Sequence, residues 1–527
     1  MARWGKEVVT GTVHGHPCRM YAARPRAMAE LLVDAQRWSG RTLLVQGGRR
    51  VSGAQFARAV AHAARELRAR GLRPGAPVLL TGFNELEWLV AFWALQCVGA
   101  MTALGNGWWS PGEAAAAATL AQPVLVVGRP GLGHGVPAGA EALDLDAFTA
   151  FLDATGDAPL EPALVAEEAP AVVIFSSGTT TGHARGVVMS HRSVIANLQN
   201  LMVMTGRLPG ELAADHPGTV SLVTMPLFHL GGFQTSIMTM LSGGTIVFLA
   251  GKFDPEEALG LIEREKVRAW GSVPTMVSRV LQHPRFADYD TSSVASVQMG
   301  GAPVPADLKA AVARQFPASS RRVGNMYGHT EAGGVLATGA GADIAGRPGC
   351  VGRPLATVEI RIADPDAEGV GEVFARTPTA TSGYLGEARP IADADGWVAS
   401  GDLGRFDPEG RLYIVGRSKD MIIRGGENIA SLHVEAALRS HPAVADVAVV
   451  GLAHPDLGEE VGAAVVLRPG AEVSAAELRA HAARTLARFE VPARWWLTRA
   501  ELPVNTTGKI VKREVRARWP DDDVRLG

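Results

Sequence analysis

Residues 175–191 read FSSGTTTGHARGVVMSH, a hydroxyl-rich loop with a glycine at each turn and one arginine near its end. Ser176, Ser177, Thr179, Thr180 and Thr181 supply donors, and Gly178, Gly182 and Gly186 let the backbone come close to a ligand. Arg185 adds positive charge. Together these groups make an anion cradle. It is not a Walker A loop, because His183 stands where that pattern needs its second glycine, followed by lysine and a hydroxyl residue. The same composition also makes an ordinary polar turn, so the loop alone leaves both readings open.

Other polar clusters lie along the chain. They are PLFHLGG (226–232), MGGAPVP (299–305), NMYGHTEAGG (325–334), ASGDLGRF (399–406), GRSKDMIIRGGENI (416–429) and PVNTTGKIVKR (503–513). Each has a bland alternative: a turn, a helix cap, a hairpin tip or a solvated charge. The bland reading of His229 is a packed histidine beside Phe228, but PLFHLGG sits at a strand end, where sites form in open α/β sheets, and this favours a substrate gate. Lysine usage adds a hint. Of 51 basic residues only seven are lysine, so Lys509 either survives by chance or occupies a place where arginine will not serve.

Three kinds of element must hold these residues. Before the loop, AVVIF (171–175) reads as a buried strand. After it, Val187–Met189 is a second short apolar run. Ser190 then caps a helix whose Val194, Ile195, Leu198, Leu201 and Met202 fall at helical spacing. Strand and helix patterns alternate from about residue 40 to 340, as in PVLLTG (77–82), a helix through NELEWLVAFWALQCVGA, and PVLVVG (123–128). That predicts an α/β architecture with helices on both faces of its sheets. NMYGHTEAGG is placed just after a buried strand. From about residue 350 short strands and turns predict a small β-barrel-like subdomain. After Arg417 a compact β-α-β-β-α module follows, its second helix opened by the capping-box pair Ser474 and Glu477. The expected division is a large N-terminal domain at 1–416, a hinge at 417–420, and a small mobile α+β C-terminal domain at 421–527.

Composition bounds the function. The chain has 527 residues, 47% hydrophobic and 20% charged, with a net charge of −2, which argues against a nucleic-acid partner. Cys18, Cys97 and Cys350 are scattered without CxxC spacing, which points to a reducing, cytoplasmic setting with no disulfide framework or zinc site. No signal-peptide core is seen at the start. The longest apolar stretch, Leu89 to Leu104, is interrupted by Gln96 and Gly99 and is expected to be a helix and then a strand, not a membrane span.

Taken in order, the clusters resemble the motifs of the adenylate-forming superfamily, which includes acyl- and aryl-CoA synthetases, peptide-synthetase adenylation domains and luciferases. The resemblance covers nearly the whole chain. It implies ATP-dependent activation of a carboxylic acid to acyl-AMP with release of pyrophosphate, then transfer to CoA. By this resemblance the 176–186 loop wraps the β- and γ-phosphates, Thr330 contacts the α-phosphate, and Glu331 helps to hold Mg²⁺. Gly301, Ala302, Pro303 and Gly328 border the nucleotide, Tyr327 stacks on adenine and Asn325 reads its amine. Asp402 accepts from the ribose hydroxyls with Arg417 assisting. Lys509 bridges the carboxylate and the α-phosphate, a point role suited to a compact ammonium. His229, Phe233 and Gly300 border the acid, and Lys419 is the pivot between half-reactions.

The phosphate loop departs from the family's usual SGTTGxPKG. It has one extra threonine, alanine in place of proline, and Arg185 in place of lysine; Glu490 likewise replaces a usual lysine. The acceptor therefore stays open at this point: CoA, a carrier protein, or an amine, the last including a diazotase that activates nitrite toward an aryl amine. A catalytically inactive nucleotide-binding protein is the remote alternative. The stretches FHLGGF, WGSVPTM and MGGAPVP are apolar with small residues, which favours an aromatic or medium-chain apolar acid.

Overall fold

The computed structural model describes residues 3–129, 136–175, 185–302, 304–505 and 509–526. Two large sheets and the helices between them make up most of the molecule. One sheet runs, in spatial order, Gly383–Tyr384, Gly186–Ser190, Pro170–Phe175, Met101–Asn106, Pro77–Gly82, Leu125–Gly128 and Glu141–Asp144. The other has Arg49–Ser52 at one edge, antiparallel to its neighbour, and then Thr42–Gln46, Thr245–Phe248, Val220–Val223, Ala269–Ser272, Ser296–Gly300 and Val323–His329, these six mutually parallel. Their apolar runs fit strands covered on both faces.

The helix Leu86–Val98 lies in the core between the sheets. All of its residues are buried, with Trp88 stacked on Phe92 at 5.6 Å between ring centroids. A helix buried on every side has no solvent face to offer, and its two polar residues are satisfied inside: Glu87 by Arg49 and Gln96 by Thr102. It ends at Gly99, whose φ of 81° is the left-handed cap that closes the helix before the strand Met101–Asn106. That is the helix-then-strand reading of the apolar stretch. Among the described residues no helix is long and apolar enough to cross a membrane.

The β-rich stretch after residue 350 forms the small β subdomain expected and is joined to the second sheet. Its strands continue the second sheet in antiparallel fashion through the pair Thr338↔Arg353 and end on the edge strand Glu359–Ala363. The C-terminal module has its own sheet and its own core around Val449, Val465 and Trp495. It contains more than the predicted β-α-β-β-α: the first predicted strand, Met421–Arg424, has a hairpin partner Glu427–Ala430, and there is a further parallel strand, Arg494–Thr498. The capping box at Ser474 and Glu477 forms as predicted.

Candidate functional site

The parallel strands Ala269–Ser272, Ser296–Gly300 and Val323–His329 end side by side, with Met299 paired to Asn325 and Gly300 to Met326. Ligands in open α/β sheets bind at such carboxyl ends. Two of the clusters thus become neighbours by register. NMYGH does not follow the strand but forms it, because the pairing runs on through His329. A short turn, Thr330–Ala332, then presents Thr330 and Glu331.

That turn is clamped from behind. Thr381 Oγ1 donates to the Glu331 carbonyl at 2.8 Å, and Thr379 Oγ1 donates to the Ala332 carbonyl. Gly333 closes the turn at φ 78°, and a Cβ there would sit 1.7 Å from the Thr379 carbonyl oxygen. Only glycine fits.

The Glu331 side chain is held equally firmly. The Tyr384 hydroxyl donates to Oε1 at 3.1 Å, and His329 Nδ1 lies 3.5 Å from Oε2. Burial alone would raise this carboxyl, but His329, the backbone and Tyr384 outweigh it and bring it down to about 2. Glu331 is therefore a carboxylate at neutral pH. No group of three or more His, Cys, Asp or Glu able to hold a metal occurs among the described residues. A single ionised carboxylate suits Mg²⁺, which keeps its waters and takes further oxygens from phosphates.

Asp402 forms the next anchor. It is 5% exposed and faces Arg417 across the strand pair Val398–Phe406/Leu412–Arg417. Arg417 Nε donates to Oδ1 at 3.0 Å, and the Tyr327 hydroxyl donates to Oδ2 at 2.9 Å. Burial, then the Asp402 charge, keep the Tyr327 phenol protonated and donating. Asn325 is buried and gives Nδ2 to the Cys350 carbonyl at 3.3 Å.

Lys509 reaches this site from the C-terminal segment. Its Cε lies 3.4 Å, and its Nζ 3.7 Å, from where a Cβ on Gly301 would be. The ammonium is pushed down to about 8, first by burial and then by the Arg417 charge, while Asp402 and Glu331 pull it back up. His229 stands at the N-cap position of the helix Leu230–Leu241 at the same cleft, without a side-chain capping bond. Burial, with the Lys509 charge, lowers its imidazole to about 4, so it is neutral at pH 7. Among the described residues its Nε2 has no hydrogen-bond partner.

Glu331, Thr330, Tyr327, Gly328, Asn325, Asp402, Arg417, Gly300, Gly301, Ala302, His229 and Lys509 all border one cleft. Arg185 also borders it, and its guanidinium pairs with Glu387. Lys419 lies in the turn Ser418–Asp420 between the two sheets that meet there. Phe233 does not join them. It is 2% exposed and packs edge-on against Phe92 in the core, so its assignment to the acid pocket is corrected. The cleft face of its helix is Gly231, Gln234, Thr235 and Met238. Ser176, Ser177, Gly178, Thr179, Thr180, Thr181, Gly182 and Pro303 lie outside the described residues. The sequence reading missed Tyr384, Thr379 and Thr381. Tyrosine is rare here, with five in the chain, but nothing in SGYLGEAR links Tyr384 to a residue 53 positions earlier.

A comparison with known families matches residues 31–385 to the AMP-binding enzyme family and residues 433–509 to its C-terminal domain. A feruloyl-CoA synthase of an Amycolatopsis species is 34% identical over 487 residues, covering 91% of this chain and 96% of that protein. Among solved structures, ATP-bound MatB from Rhodopseudomonas palustris superposes with a TM-score of 0.82 at 27% identity, over 94% of this chain and 99% of that one. The amide bond synthetase McbA from Marinactinospora thermotolerans gives 0.78 at 29% identity, over 92% and 99%.

Proposed function

The chain belongs to the AMP-binding enzyme family, and from that premise we propose how its residues divide the work of an AMP-forming acid–CoA ligase. The enzyme activates a carboxylic acid with ATP and passes the acyl group to CoA. In the first step a carboxylate oxygen bonds to the α-phosphorus and the bond to pyrophosphate breaks. In the second the CoA sulfur bonds to the acyl carbon, its proton leaves, and AMP departs with its oxygen.

The observation that carries this division of work is the position of Lys509. A C-terminal lysine stands over Gly301, in the fields of Asp402 and Glu331 and beside neutral His229. An ammonium there neutralises charge that grows on the α-phosphate during transfer, in a site that partly excludes water. Asp402, fixed by Tyr327 and Arg417, accepts from the ribose hydroxyls, and Thr330 contacts the α-phosphate. Asn325, beside Gly301 and Gly328, reads the adenine. Glu331 holds Mg²⁺, which would neutralise phosphate charge when bound. Arg417–Asp420 is the hinge between domains at 1–416 and 421–527, with Lys419 as the pivot.

The acid is aromatic or a medium-chain apolar one. Met225, Met238, Met276 and Met326 border the cleft, with Gly271 and Gly300 leaving room between them. Soft methionine walls and small residues fit a flat apolar group. The feruloyl-CoA synthase relative supports the same class. The three cysteines are free and buried, which supports a reducing, cytoplasmic setting. A second reading, transfer to an amine, has the likeness to McbA in its favour. Incubation with ATP, Mg²⁺ and a panel of aryl and alkyl acids, with CoA or amine added separately, tests both. Thioester formation from an aryl acid supports the first reading. Amide formation with no thioester replaces it with the second.

A further inference from the structure

Three contacts run in series from the end of the phosphate loop to Glu331. Arg185 gives Nε to Glu387 Oε1 at 3.1 Å, and Nη2 to Oε1 and Oε2 at 2.8 and 2.6 Å. Its guanidinium carbon lies 3.4 Å from the centroid of the Tyr384 ring. The Tyr384 hydroxyl then donates to Glu331 Oε1 at 3.1 Å. The backbone fixes the order of these parts. Gly383 and Tyr384 pair with Val188 and Val187 on the strand that leaves the loop, and Leu385 N donates to the Gly186 carbonyl at 2.7 Å.

We propose that Tyr384 is a positioning residue for Glu331, and that the Arg185–Glu387 pair serves metal binding by pinning the Tyr384 ring. The side-on edge of the Arg185 fork, Nε with Nη2, is committed to Glu387, and its flat face is committed to the ring. A glutamate side chain has several free torsions, and the Tyr384 hydroxyl on Oε1, with His329 beside Oε2, limits them. Outer partners of this kind commonly set metal affinity by about 10- to 100-fold. The ion pair itself is 35% and 42% exposed, so its contribution to stability is small and its role is geometric. A lysine could keep the charge but neither the two-pronged pairing nor the stacking, which gives a reason for arginine here. This inference rests on the reading of Glu331 as the Mg²⁺ ligand.

The test is calorimetric titration of ATP into the full-length enzyme without acid, once with Mg²⁺ and once with EDTA, together with Mn²⁺ binding followed by electron paramagnetic resonance. The variants are Tyr384→Phe, Glu387→Gln, Arg185→Ala and the double variant Tyr384→Phe/Glu387→Gln. With Mg²⁺, Tyr384→Phe binds ATP about 10-fold more weakly. Glu387→Gln and Arg185→Ala move in the same direction, and the double variant is no weaker than Tyr384→Phe, because all act through one group. Mn²⁺ affinity falls in parallel, while binding in EDTA by Tyr384→Phe and Glu387→Gln matches the wild type. The proposal is overturned if Tyr384→Phe binds ATP and Mn²⁺ as the wild type does. It is also overturned if, in EDTA, Arg185→Ala weakens ATP while Glu387→Gln tightens it, as a direct phosphate ligand requires. A wild type that binds no ATP in either buffer sinks the ligase reading itself, so the two failures are distinct.

Discussion

The two sides of the cleft are built in opposite ways. On the N-terminal side every charged group named here is tied down: Glu331 by Tyr384 and His329, Asp402 by Tyr327 and Arg417, Arg185 by Glu387. On the C-terminal side Lys509 arrives over Gly301 with no ion-pair partner among the described residues. Three positions later, Lys512 bonds to Ser431 Oγ at 2.7 Å and to Glu435 Oε1 at 2.7 Å. One lysine holds the module together and the other is left uncompensated. The difference teaches which groups wait for the substrate. On the proposed reading, a fixed, ionised wall is ready for ATP whether or not Lys509 is in place. An ammonium lowered to about 8, despite the pull of Asp402 and Glu331, gains further stabilisation when negative charge appears beside it.

The largest break in this contrast is expected from Lys419→Pro. Proline holds φ near −65°, and a pivot must change its backbone angles between half-reactions. The variant retains much of the pyrophosphate exchange, because Lys509 already sits at the wall, but loses transfer to CoA. Transfer at the wild-type rate would mean that rotation about this residue is not used. Next in size is Asp402→Asn. It removes the charge that Arg417 and Tyr327 face, and the Michaelis constant for ATP rises by about 10-fold, the usual order for losing a charged hydrogen-bond acceptor. An unchanged constant would take Asp402 out of nucleotide binding. The smallest effect is on pH dependence. Lys509 is charged below its pKa, so kcat/KM for ATP in the exchange reaction falls as pH rises through about 8. Burial is the larger cause of that low value and Arg417 the second, so Arg417→Gln moves the alkaline limb upward by only part of the shift. A limb that stays flat to high pH would show that no such ammonium is used.

Much of the wall could be read from the chain because its groups lie in short runs that fold locally. Asn325, Tyr327, Thr330 and Glu331 share one strand and its turn, and Ser190 caps the helix its hydroxyl predicts. What could not be read depends on distant partners. Arg185 meets Glu387 across 202 positions, and Thr381 reaches Glu331 across 50. No spacing rule reports such pairs. Phe233 failed for a related reason. His229 stands at the N-cap of its helix at the cleft, but Gly232, whose Cβ would meet the Met225 and Pro226 carbonyl oxygens at 2.4 Å, seats the helix so that Phe233 turns into the core toward Phe92. The β subdomain after residue 350 was legible from its short alternating strands, but its junction with the second sheet, through the pairing Thr338↔Arg353, was not.

The claim at the centre of this account is that Lys509 acts in the first half-reaction alone, against a wall that binds ATP without it. Single-turnover rates of Lys509→Ala in each half-reaction test it most directly. The account predicts that adenylation falls by about 10²-fold or more, the order for loss of one stabilising donor. It also predicts that ATP affinity changes little and that thioester formation from a preformed acyl-adenylate keeps its wild-type rate. A variant slowed equally in both halves, or one that no longer binds ATP, would contradict it.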